Sequence, residues 1–171
     1  MKSSVTTKLY SILAIMALCG SLQNAFAGEK KTVTTAYPTG KVTQRLAIPI
    51  ADQPGHEIVV QTREDPPGTS NDPEWEGSTV VTTSHADFVK GSGSIWGYAI
   101  RTLKSGDKIY FKYQGTVKRS GEGDNWKAAA QVSTEITGGT GKYANAKGAG
   151  TGTVESGPSG GIVNVTSTIE Y

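Results

Sequence analysis

From Val42 onward the chain alternates apolar and polar positions with a period of two, and Gly, Pro, Asp and Ser punctuate the runs. The clearest stretch is 108–119. Lys108, Tyr110, Lys112, Gln114, Thr116 and Lys118 fall on one side, and Ile109, Phe111, Tyr113, Gly115 and Val117 on the other. This pattern predicts a strand with one wet face and one packed face. Residues 126–136 repeat it, setting Trp126, Ala128, Ala130, Val132 and Ile136 against Lys127, Gln131 and Glu135. Further β-rich runs cover 42–50, 57–62, 79–88, 94–103, 148–155 and 162–171. Within 94–103, Trp96, Tyr98 and Ile100 share a face opposite Gly97, Ala99 and Arg101. The aromatic face is read as inward, because a charged arginine occupies the other. No segment sustains the 3.6-residue period of a helix. The expected fold is all-β, a single antiparallel β-barrel of about eight strands. Closure is preferred because it leaves no edge strand free to pair with other chains.

Two segments precede this domain at 41–171. Residues 1–27 carry Lys2 and Lys8, an apolar run at 10–18 and an Ala25-Phe26-Ala27 end, the pattern of a cleaved signal peptide. The run is too short to span a bilayer, which requires about 20 apolar residues. Cys19 follows the bulky Leu18, unlike a lipid-attachment cysteine. Gly28 to Gly40 is polar and reads as a flexible N-terminal lead. The expected location is secreted or periplasmic, with no membrane contact after signal cleavage.

Composition changes the picture mainly through the signal segment. Lys2 and Lys8 lie in it and no acid does, so the 17 basic residues fall to 15, matching the 15 acids. A near-neutral chain without a concentrated cationic cluster argues against nucleic acid as a partner. Cys19 is the single cysteine. Its removal excludes a disulfide, a thiolate metal site and a cysteine nucleophile.

Candidate chemistry is sparse. Residues 136–143 (ITGGTGKY) imitate a phosphate loop but lack its first Gly and its Ser or Thr after Lys142. Gly138, Gly139 and Gly141 read instead as a tight connection. Gly148, Gly150 and Gly152 leave one strand face bare, with room for a ring such as Trp126 or Tyr143. Ser84, His85 and Asp87 are the residue types of a hydrolase triad, yet a pleat sends Ser84 to the face opposite His85 and Asp87. The loop 63–78 gathers five acids around Trp75 without EF-hand spacing. It reads as a solvated acidic loop, with Trp75 as a lid over the barrel mouth. No catalytic residue, metal site or cofactor is assigned.

The stretch Ile136-Thr-Gly-Gly-Thr-Gly-Lys-Tyr-Ala-Asn-Ala-Lys-Gly148, preceded by Asp107-Lys-Ile-Tyr-Phe-Lys-Tyr-Gln-Gly115, resembles the allene oxide cyclase/dirigent barrel superfamily. The resemblance covers roughly the last 80 residues, as judged by pattern alone. It implies an eight-stranded antiparallel barrel, often oligomeric, whose lumen holds a hydrophobic small molecule. The shared residues serve turns and packing, so no catalytic residue transfers. The expected function is lumenal binding of a small hydrophobic molecule without catalysis, through Trp75, Trp96, Tyr98, Tyr113 and Trp126. Two alternatives stand beside it: an isomerase or cyclase using Arg101, Asp87 or His85, and an interaction protein with a filled barrel. A homo-oligomer is compatible with each.

Overall fold

A computed structural model describes residues 28–171. The expected signal segment, with Cys19, lies outside the described residues. Ten strands follow in chain order: β1 Lys30–Pro38, β2 Lys41–Pro49, β3 His56–Asp65, β4 Thr69–Ser70, β5 Thr79–Val89, β6 Ser92–Thr102, β7 Lys108–Ser120, β8 Lys127–Gly139, β9 Lys147–Gly157 and β10 Gly160–Glu170. They form one antiparallel sheet in the order β2-β3-β5-β6-β7-β8-β9-β10-β1-β4. The all-β expectation holds.

The closed ladder of about eight strands does not. Strands β2 and β4 are the two edges, and no pairing joins them. The reason lies at Pro66 and Pro67. Neither has an N–H to give a ladder, so β3 ends at Asp65. The chain then crosses to β1, where Thr35 pairs with Ser70 and Ala36 with Thr69. Gly68 makes the crossing, and a Cβ there would lie 2.2 Å from the Ala36 carbonyl oxygen. Strand β1 thus pairs with the continuation of β3, while β2 pairs with the outer flank of β3 itself.

Residues 28–40 are also not a loose lead. Thr-rich alternation builds β1, which pairs along its whole length with β10 from Lys30↔Glu170 to Pro38↔Ile162. Val33, Thr35 and Tyr37 point inward and are buried. The polar composition that suggested a lead reflects the other face of the strand.

The inward faces build two buried clusters. The larger comprises Val33, Trp75, Leu103, Ile109, Phe111, Ile136, Tyr143, Ala146 and Ile169. The smaller, of Tyr37, Val80 and Val163, continues along the same interior. The expected facing of 108–119 is reproduced, with Ile109 and Phe111 buried and Lys108 and Lys112 exposed. At Gly150 the atoms nearest an added Cβ are Ser167 Oγ and the β10 backbone.

Candidate functional site

Eight strands, β1, β3 and β5 through β10, send side chains into one cavity of about 240 Å³, and Trp75 joins them from the 71–78 loop. Toward the hairpins at 90–91, 121–126 and 158–159 its walls are half-buried: Phe88, Ile95, Val117, Ala128 and Ser156. Toward Arg101 and Trp75 they are buried, and the larger core cluster closes that end. The cavity is therefore a pocket with a largely apolar entrance and an arginine at its floor.

Arg101 dominates the floor. It is 4% exposed. Its Nη1 donates to Ser78 Oγ at 2.7 Å and its Nη2 to Thr35 Oγ1 at 3.1 Å. The guanidinium carbon lies 5.2 Å from the Tyr37 ring centre and 5.3 Å from that of Trp75. All these neighbours are neutral. Burial presses the Arg101 pKa downward, with Tyr37 and Asp65 acting in the opposite sense. Arginine nevertheless stays charged in proteins, so the floor carries a cation.

A second arginine does not cancel this charge. Arg63 binds Asp65 through Nε–Oδ1 at 2.6 Å and Nη2–Oδ2 at 2.9 Å. The Gly40 N–H also donates to Asp65 Oδ1. Asp65 is thus committed to Arg63 in a bidentate pair. The two arginines and one aspartate leave one positive charge in surplus. Arg101 Nε, Trp75 Nε1, Thr134 Oγ1 and Ser167 Oγ are buried polar atoms without hydrogen-bond partners among the described residues. All four belong to cavity-lining residues.

The acidic loop is tied to the sheet through Asp72 and Glu74, although Glu74 stays partly exposed. Glu74 accepts from Lys31 Nζ at 2.9 Å, from Tyr143 Oη at 2.9 Å and from Lys142 Nζ. Asp72 pairs with the same Lys31 at 2.6 Å. The Lys142 ammonium first, then Lys31 and Tyr143, hold the Glu74 carboxyl down at about 2. Burial first, and then Glu74, raise the Tyr143 phenol above its ordinary value. This clasp seats Trp75, 2% exposed, against the cavity floor. Trp75 closes the blind end and does not cover the mouth.

The sequence-expected site residues divide. Trp75 and Tyr113 line the cavity. Burial raises the Tyr113 phenol pKa. Trp96 and Tyr98 do not line it: they are 49% and 50% exposed, on the outer face. The inward positions of β6 are Ile95, Gly97, Ala99 and Arg101. The inward position Gly97 is tightly enclosed, since a Cβ there would lie 2.1 Å from the Thr83 carbonyl oxygen and 2.9 Å from both Ser84 Cα and the Tyr113 hydroxyl. No large ring fits there. Trp96 instead stacks on His85, with centroids 4.0 Å apart and planes 6° apart. Trp126 is half-buried outside the cavity, with Arg119 over its ring at 4.7 Å.

Ser84 faces the cavity while His85 and Asp87 lie outside, as the pleat requires. Asp87 accepts from His56 Nε2 at 2.8 Å, and Asp52 sits on Nδ1. Asp52 first, then Asp87, raise the His56 pKa. The three triad residue types are therefore not brought together. Residue-by-residue reading also missed Thr35, Thr134 and Ser167 as cavity polar groups. The inward parity of β1, β8 and β10 was the available signal.

No protein-family model and no curated protein matches the chain. Among solved structures, a protein with unknown function from Clostridium acetobutylicum is similar to it. The two are 15% identical, the match covers 85% of this chain and 99% of that one, and the TM-score is 0.48.

Proposed function

We propose that the protein is a container for a small, largely apolar molecule, which it holds in the cavity without covalent chemistry. The observation that carries this reading is the cavity itself, apolar along its walls with polar groups converging at one end. Binding sites for small ligands share that composition. About 240 Å³ lies just below the usual range of about 300–1,000 Å³, which favours a single-ring or short-chain ligand. On this reading β1, β3 and β5 through β10 act as an eight-stranded barrel with a seam between β1 and β3. That is the architecture implied by the allene oxide cyclase/dirigent resemblance. The 1–27 segment would deliver the chain to the periplasm or the exterior.

Cinnamyl alcohol is a size-matched neutral probe. It should bind saturably and alter Trp75 fluorescence, read against Trp75→Phe. Ala86→Phe places a ring into the cavity wall and should abolish binding while circular dichroism stays unchanged. Trp96→Ala, on the outer face, should bind as wild type does. Failure of size-matched apolar probes to saturate, or an Ala86→Phe variant that binds normally, removes the container reading.

A further inference from the structure

We propose that the cavity selects a ligand carrying one anionic head group, a carboxylate, which docks on Arg101 while its apolar body lies along the walls toward the entrance. This inference rests on the container reading and adds the ligand's charge. Buried charges are normally paired with an opposite charge, because desolvation otherwise goes uncompensated. Arg101 departs from that rule. Its hydrogen-bonding partners are two hydroxyls, its ring neighbours are neutral, and Asp65 is held by Arg63 and Gly40.

The geometry also leaves donors for a head group. Two hydrogen bonds engage Nη1 and Nη2, while Nε has no partner and belongs to a residue lining the cavity. Trp75 Nε1, a donor, and Ser167 Oγ, which donates or accepts, are likewise buried and unpartnered on lining residues. A purely apolar ligand would leave this cation and these donors unsatisfied. A planar carboxylate accepts from a guanidinium in the geometry that arginine favours.

Position supports the same assignment. The cation sits at the blind end, where the core cluster and the Glu74 clasp exclude solvent. Coulomb attraction is strongest where water is excluded. Stability alone does not explain an arginine here, since buried ionic groups are often replaced by apolar residues of similar volume at no loss.

The test compares cinnamate with cinnamyl alcohol by calorimetric titration of wild type, Arg101→Met and Arg101→Lys. Wild type should bind cinnamate at least tenfold more tightly than the alcohol. Arg101→Met should lose that preference, its affinity for cinnamate falling at least tenfold more than its affinity for the alcohol. Arg101→Lys keeps the charge without the fork, and should fall between them. Without ligand, Arg101→Met should melt no lower than wild type, whereas a guanidinium serving only the fold would leave a less stable variant. Equal binding of both probes to wild type overturns the anionic head and leaves the container reading standing. Binding of neither overturns both. Should Arg101→Met fail to fold, the structural role is upheld against the proposal unless the wild-type preference persists and Arg101→Lys reduces it.

Discussion

A single facing decides most of the site. In β6 the inward positions are Gly97, Ala99 and Arg101, and the outward ones are Trp96, Tyr98 and Ile100. Hydropathy alone favours the opposite choice, because rings are usually buried and arginine exposed. Residues on other segments overrule it. The Tyr113 hydroxyl fills the space beside Gly97, and Thr35 and Ser78 receive the guanidinium. The period of two was therefore legible in the sequence, while the direction of the pleat depended on residues of other segments, Ser78 lying 23 and Thr35 66 positions from Arg101. Turn glycines were easier to read. Gly141 has φ +55, and a Cβ there would lie 2.1 Å from Asp107 Oδ1. Gly106 has φ +91 with nothing within 4 Å. Both positions strain an L-residue, but only the first also displaces a neighbour. Gly141→Ala should destabilise by about 1–3 kcal/mol, and by more than Gly106→Ala. Urea unfolding of the two variants checks the order.

At the scale of elements, the 71–78 loop shows what composition conceals. Its acids suggested a solvated segment, yet Glu74 and Asp72 reach lysines on β1 and on the 3-10 turn Gly141–Tyr143. Those partners are distant in sequence, so no local pattern announces them. The glycine-rich element was read correctly as a turn, but its Lys142 and Tyr143 turn out to anchor the loop that carries Trp75. The clasp is pH-sensitive in a definite direction. Glu74 titrates near 2 in the folded chain against an ordinary value of 4.5. A depressed carboxylate stabilises the fold above the unfolded pKa, and the contribution is lost as pH falls through the folded one. The window is thus about pH 4.5 down to about 2. Because Glu74 is 44% exposed, solvent screening makes the effect small. Glu74→Gln should show a smaller drop in urea midpoint between pH 5 and pH 2.5 than wild type. An equal drop in both proteins would mean that the clasp does not couple to folding.

At the scale of the whole molecule, the eight strands that line the cavity are those the sequence pattern nearly enumerated, with β1 hidden in an apparent lead. Strand β2, which had looked like the first wall of the barrel, lines none of it. It pairs with β3 alone, and its Val42, Leu46 and Ile48 are 43%, 58% and 47% exposed. Its apolar alternation was read correctly as strand, but periodicity does not say which strand is left over when a chain crosses early. An edge strand with little buried surface opens locally at far lower free energy than the centre of a sheet. In deuterium exchange followed by mass spectrometry, the peptide 41–49 should exchange well before peptides from β7 and β8, which are paired on both sides. Exposed apolar side chains beside unpaired backbone groups also form a template for another strand. Strong protection of 41–49 that disappears on dilution would therefore mean that a second copy covers this edge. The β2 flank, and not the cavity, would then be where the chain assembles. Rapid exchange at every concentration would leave β2 an uncovered edge and the chain a monomer at that flank.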